Sequence, residues 1–392
     1  MSGKAYPNRS MITVSIMMAA IMGVLDSTIV SVALPQIQGA LSASPEQVIW
    51  VLTSYIVATA ISTPLSGWLA GRFGMKQIIL LAIAGFTVTS MLCGIATSLP
   101  QMVAFRLLQG LFGAAFIPLS QAVLLNINPP ERHNQALSVW AAGVMTAPIA
   151  GPLVGGYLTE AFSWRWCFFI NLPVGALAFL GVAAFMPRER AGPFRPFDFL
   201  GFGALALFVA ALQMMLDRGP VRDWFSSAEI WAYTLAAGAA FWVFLVHSLT
   251  AKNAFFDPAL TRDRNLVTAC FFNFTLGVLL MSSMGIMPNM LQGLMGYPPM
   301  ISGVTNVPRG AGTLLAILLA GRVSGRMNTR LLLAIALTIA TVGIWITTRF
   351  DLSMEIGPVL LSGFLQGFGM GLFATPLNFI AYSTIASSLR AE

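Results

Sequence analysis

Apolar stretches of about 20 residues recur along nearly the whole of this 392-residue sequence, each long enough to cross roughly 30 Å of hydrocarbon as a helix. That recurrence fixes the class as an all-α membrane protein. Composition agrees: 57% of residues are hydrophobic and 9% charged, against about 25% charged in soluble chains. Twelve spans are predicted, roughly at 12–34, 47–69, 77–98, 101–125, 135–157, 165–186, 198–216, 228–249, 266–291, 300–320, 330–348 and 356–381. No soluble domain fits between them. Lys4 and Arg9 precede the first run as in a signal peptide, but that run is too long, contains Asp26 and lacks a small-x-small cleavage site, so it reads as a span.

The net charge of +7 does not indicate nucleic-acid binding, because the basic residues sit in short loops on alternate sides of the spans. With the N-terminus inside, one side holds Lys4, Arg9, Arg72, Lys76, Arg132, Arg188, Arg190, Arg195, Lys252, Arg262, Arg264, Arg322, Arg326, Arg330 and Arg390. The other holds Arg165, Arg218, Arg222 and Arg349. The excess predicts a cytoplasmic N-terminus. Cys93, Cys167 and Cys270 lie in apolar surroundings and read as small buried residues, not as a disulfide or metal set. No G-x-x-x-x-G-K-[ST] loop, Cys/His metal spacing or nucleophile elbow occurs, so neither ATP hydrolysis by this chain, nor a metal, nor an enzyme is expected.

The chain repeats itself. Gly67-Trp68-Leu69-Ala70-Gly71-Arg72-Phe73-Gly74-Met75-Lys76 follows span two, and Gly321-Arg322-Val323-Ser324-Gly325-Arg326-Met327-Asn328-Thr329-Arg330 follows span ten. Leu108-Gln109-Gly110 in span four is echoed by Leu365-Gln366-Gly367 in span twelve, at nearly the same offset. Parallel repeats of this kind build secondary transporters. The copies lie eight spans apart where six-helix halves would put them six apart. Residues 1–190 therefore read as the first half, 191–252 as two inserted helices, and 253–392 as four of the six helices of the second half. On this reading the last two spans, about 100 residues, are lacking.

Three constellations carry chemistry. Asp26 is an ionisable group inside span one, costly unless paired or functional, and suited to take up and release a proton; a static pair with Arg106 is the alternative. By helix rise, Asp26 lies about 13 Å and Arg106 about 8 Å below the same side, which permits a pair without establishing one. Span five sets Gly143, Ala147, Gly151 and Gly155 at four-residue spacing, one small face for close helix contact, with Pro148 and Pro152 loosening the backbone and Gly156 alongside. Arg309 in span ten reads evenly as cavity lining or as a latch to a missing helix. Gln109, Gln121, Asn273 and Gln292 are candidates to line a polar path, though each alone reads more readily as interhelical glue.

These residues resemble the major facilitator superfamily, and within it the fourteen-span drug:proton antiporters of the EmrB/QacA type. The resemblance covers Met11 to Glu392 and rests on L-D-x-T-I-V-x-V-A-L-P at 25–35, G-x-L-A-x-R-x-G-x-K at 67–76, R-x-x-Q-G at 106–110 and the span-five motif at 143–156. Trp164-Arg165-Trp166, Phe169 to Gly175, Asp198-Phe199-Leu200-Gly201 and Asp223-Trp224-Phe225 extend it. It implies two parallel six-helix repeats with two extra helices between them, in the bacterial inner membrane. It implies proton-driven export of small amphipathic compounds, with no cofactor beyond the proton gradient. Coupling would fall to Asp26 and Arg106, the antiporter signature to Gly151, Pro152, Gly155 and Gly156, and gating to the loops bearing Gly67, Arg72, Gly74, Lys76, Gly321, Arg326 and Arg330. A periplasmic adaptor and an outer-membrane channel are implied partners. Gly71 stands where the superfamily loop usually has Asp, and Ser31 where Asn is common. A dedicated exporter of one metabolite and a non-transporting remnant are the alternatives.

Overall fold

The computed structural model describes residues 8–129, 132–188, 197–251, 263–323 and 327–383, and every regular element among them is a helix. Span one is Arg9–Ala40, span two Trp50–Phe73 and span three Met75–Ile95. Span four is split into Leu99–Gly113 and Phe116–Ile127, span five into His133–Val144 and Ala147–Ala161. Span six is mainly Asn171–Phe185, followed by Phe199–Arg218 and Ala228–Thr250 as spans seven and eight. Span nine is Arg264–Pro288, span ten Pro299–Val304 with Val307–Val323, span eleven Thr329–Thr347 and span twelve Gly357–Ser383.

The three splits share one cause. A proline removes the N–H that would bond to the carbonyl four residues back, and its ring crowds that carbonyl. Pro118, Pro148 and Pro308 lie four residues after Ala114, Val144 and Val304, where the helices of spans four, five and ten are interrupted. Helix starts follow local chemistry as well. The side chain of Asp198 accepts from Gly201 N, that of Asp263 from Asn265 N and Leu266 N, and that of Asn328 from Arg330 N.

Ten described helices are long and apolar enough to cross a membrane by length and composition. The predicted span nine forms a continuous helix over Arg264–Pro288, and span ten is broken before Pro308 and Arg309. Large apolar side chains such as Leu177, Leu235, Trp242 and Phe274 stand exposed on helix faces, as a hydrocarbon surrounding requires. Cys93 and Cys167 are buried as expected, whereas Cys270 is exposed on span nine. An apolar neighbourhood does not separate core from lipid-facing positions when both are apolar.

Contacts divide the chain into two compact units interleaved along the sequence. The first comprises 1–23, 40–140 and 168–258, the second 24–39, 141–167 and 259–392, over their described residues. In the first, span four packs on spans two and three, span three on span six, and spans seven and eight on each other. Glycines let these helices close: a Cβ on Gly175 would strike the Thr87 side chain, and one on Gly94 the Phe169 ring. In the second, span twelve packs on spans nine, ten and eleven around Ala269, Ala316, Ala320, Ala336 and Phe373, and span five packs on span ten.

Candidate functional site

Asp26 is wholly enclosed, with 0% of its surface exposed. The hydroxyls around it turn back onto their own helix: Ser27 Oγ donates to Val24 O at 2.8 Å and Ser31 Oγ to Thr28 O at 2.8 Å. The turn after Asp26 seats on span five. A Cβ on Gly151 would collide with the Thr28 hydroxyl, and one on Gly155 would lie 3.0 Å from Ile29 O. On the far side of the same helix, a Cβ on Gly156 would lie 2.6 Å from Pro299 O in span ten. The small face read from the sequence thus meets span one at Gly151 and Gly155, and Gly156, outside that face, meets span ten. Pro152 is buried in the same helix, Pro148 is half-buried beside the break, and Gly143 O accepts from the Thr146 hydroxyl at 2.6 Å.

Arg106 is fully buried in the first unit. Its Nε donates to Val51 O at 2.9 Å and its Nη1 to Gln109 Oε1 at 2.8 Å, while the guanidinium lies 4.2 Å from the centre of the Tyr55 ring. A delocalised cation over an aromatic face is a favourable arrangement, the more so out of water. Gln109 is equally buried and also accepts from Cys93 Sγ at 3.6 Å. Spans two and four touch backbone to side chain here. A Cβ on Gly110 would strike Tyr55 O, and the Thr59 hydroxyl donates to Gly110 O at 3.2 Å.

The second unit repeats this contact. A Cβ on Gly367 would strike Arg309 O, and the Thr313 hydroxyl donates to Gly367 O at 3.0 Å. Tyr55 and Thr59 precede Arg309 and Thr313 by the same interval that separates the two Gly-Arg loops. Arg309 Nη2 donates to Gln366 Oε1 at 3.1 Å, so the arginine now comes from span ten where span two has a tyrosine. Tyr55, Thr59 and Thr313 were not singled out from the sequence, although the repeat offset pointed to them.

The first Gly-Arg loop turns at Gly74, whose φ of +94° favours glycine. Lys76 Nζ caps the end of span six, donating to Ala183 O at 2.7 Å and Met186 O at 2.5 Å. Arg72 lies over Trp68 and Phe73 at 5.3 and 5.4 Å. The Cβ positions of Gly67 and Gly71 meet nothing within 4 Å. In the second loop Gly321 ends inside a helix and Arg330 is exposed, while Arg326 lies outside the described residues.

Of the remaining polar candidates, Gln121 is half-buried and Asn273 exposed. Gln292 Nε2 donates to Val32 O at 3.0 Å, joining the π-helical turn after span nine to span one within the second unit. Asp198 and His247, at the two ends of the inserted pair, bond at 2.8 Å. Among the described residues no group of three or more His, Cys, Asp or Glu is placed to hold a metal.

The model of the Major Facilitator Superfamily matches residues 16–391. "Multidrug export protein EmrB" of Escherichia coli (strain K12) is 36% identical over 373 residues, covering 95% of this chain and 73% of that protein. "Fatty acid resistance protein FarB" of Neisseria gonorrhoeae is 38% identical over 374 residues, covering 95% and 74%. Among solved structures, a POT family transporter superposes with a TM-score of 0.68 at 13% identity, over 97% of this chain and 85% of its own. A D-xylose-proton symporter gives 0.63 at 14% identity, over 94% and 81%. With its apolar helices, its repeated span-two to span-four contact and these relatives, the chain belongs to the major facilitator superfamily.

Proposed function

We propose that this transporter exports small amphipathic compounds across the bacterial inner membrane in exchange for protons, with Asp26 as the proton carrier. The observation that carries the reading is the complete enclosure of Asp26 in a helix seated on the glycine face of span five. A carboxylate held away from water is costly when charged, so its protonation state is coupled to how the surrounding helices pack. A proton entering or leaving at that carboxylate shifts the balance between two packings. Arg106 sets the electrostatic environment of the first unit, held by Val51 O, Gln109 and Tyr55. Relatives named for multidrug export and fatty acid resistance support amphipathic cargo. The excess of basic residues in one set of loops supports a cytoplasmic N-terminus. A periplasmic adaptor and an outer-membrane channel would extend the route beyond this membrane.

Inverted membrane vesicles energised by a pH gradient test the reading, with ethidium as the probe. Asp26→Asn should reduce gradient-driven uptake by about tenfold or more, the range of loss expected for an essential proton-transfer group, at unchanged membrane abundance. Uptake equal to that of the unaltered chain would overturn it.

A further inference from the structure

We propose that the turn between the two inserted helices binds the zwitterionic headgroup of an aminophospholipid, taking its phosphate on Arg218 and Arg222 and its ammonium on Asp223. Only the chain's place in a bilayer is assumed, not the compound it exports.

Spans seven and eight, Phe199–Arg218 and Ala228–Thr250, are each long and apolar enough to cross a membrane, so the residues joining them emerge at its surface. Two arginines close on one carboxylate there. Arg218 Nε lies 3.0 Å from Glu229 Oε1 and Arg222 Nε 3.1 Å from Glu229 Oε2, and the Tyr233 hydroxyl donates to Oε1 at 3.1 Å. Neither arginine has another partner among the described residues, and 51% of the Arg222 side chain is exposed. Each guanidinium carries five N–H groups, more than its share of one carboxylate can accept. The shared anion therefore fixes two forks side by side with donors to spare, and such forks match a phosphate.

The backbone holds this turn in one shape. Asp223 and Trp224 both have a φ of +51°, a left-handed conformation that is an outlier for a residue as bulky as tryptophan. Trp224 N donates to Gly219 O at 2.8 Å, and its ring lies against Gly219, where a Cβ would come within 2.7 Å of it. Trp231 Nε1 donates to Phe225 O at 2.9 Å. Backbone strain of this kind gathers at ligand clamps. Here it accompanies three exposed rings, those of Trp224, Phe225 and Trp231, in and just after the turn. Aromatic side chains with a polar edge settle at headgroup depth.

Charge selects the headgroup. The two arginines face Glu229 and Asp223, an even balance. Asp223 is exposed and its carboxylate has no partner among the described residues, whereas Asp217 accepts from Thr53 Oγ1 at 3.3 Å and Gln213 Nε2 at 2.8 Å. An anionic headgroup would leave Asp223 unanswered, and a choline headgroup has no N–H to give it. A phosphate followed by a primary ammonium answers both, as in phosphatidylethanolamine. The three exposed rings favour a lipid over a protein partner, because they sit where hydrocarbon gives way to headgroups.

Native mass spectrometry of the whole chain in detergent, titrated with single lipids of matched acyl chains, tests the proposal. Phosphatidylethanolamine should bind about tenfold more tightly than phosphatidylcholine or phosphatidylglycerol, the discrimination expected of one charge-assisted contact. Asp223→Asn, which keeps a residue tolerant of the left-handed backbone, should bring the three lipids near parity. Arg222→Gln should weaken all three, and Arg222→Lys should restore part of the loss. Equal binding of the three lipids by the unaltered chain, a preference for phosphatidylglycerol, or an undiminished preference in Asp223→Asn would each overturn the proposal. Displacement of the lipid by equimolar phosphoethanolamine would place recognition in a soluble compound and overturn it too. Should Asp223→Asn fail to assemble, Asp223→Gly, which relieves the backbone, takes its place. The assay needs no proton gradient, so its failure is distinct from failure of the Asp26 vesicle test.

Discussion

The two arginine centres occupy the same place in the repeat and are built differently. In the first unit the cation comes from span four, lies over Tyr55 and uses Nε and Nη1 within the protein. In the second it comes from the position equivalent to Tyr55, and the same two nitrogens are idle among the described residues. The backbone approach of glycine to the neighbouring helix is retained, with Tyr55 O and Arg309 O in matching roles. The duplicated contact has kept its steric core while its charge crossed from one helix to the other. A close glycine contact has no alternative partner, whereas a long arginine can reach a shared polar centre from either wall.

The largest effect should come from attacking what the centres share. Gly110→Leu and Gly367→Leu each force a side chain into a backbone carbonyl, an overpacking cost of about 1–3 kcal/mol or more. Both should abolish the monodisperse peak in size-exclusion chromatography of detergent-solubilised protein. Survival of one variant with loss of the other would break the equivalence. Next comes the contrast in charge. Arg106→Gln removes two buried bonds and should lower the thermal unfolding midpoint, by about 1.5–3 kcal/mol of stability for each charged hydrogen bond. Arg309→Gln removes a cation with two buried idle donors and should leave the midpoint unchanged or raise it. Equal losses at the two sites would erase the distinction. Smallest of all, Thr59→Val and Thr313→Val should each cost about 1 kcal/mol by the same measurement, because each loses one neutral hydrogen bond to a glycine carbonyl.

Much of the fold is legible in the sequence because the bilayer reduces the problem to length and polarity. All twelve apolar windows correspond to helices or broken helices, whereas the caps at Asp198, Asp263 and Asn328 were not singled out from the sequence. The loosening of span five by Pro148 and Pro152 was read from the sequence, whereas the interruptions in spans four and ten were not, since apolarity is blind to a missing donor. The exposure of Cys270 escaped for a related reason: lipid and protein interior select the same residues. At the candidate site, the close-packed face of span five was readable from its spacing, because glycines four apart share one side of a helix. Tyr55 beneath Arg106 was not, because a cation over a ring on another helix leaves no local pattern. Arg309 gave no sequence cue that separated a cavity role from a latch; its bond to Gln366 and its idle nitrogens emerge only when spans ten and twelve are side by side.

Proton release on ligand binding tests the central claim, that Asp26 is the group whose protonation drives the cycle, most directly. In weakly buffered solution, adding ethidium to the purified chain should liberate protons from the unaltered protein and none from Asp26→Asn. Equal release from both would place the proton elsewhere and contradict the account.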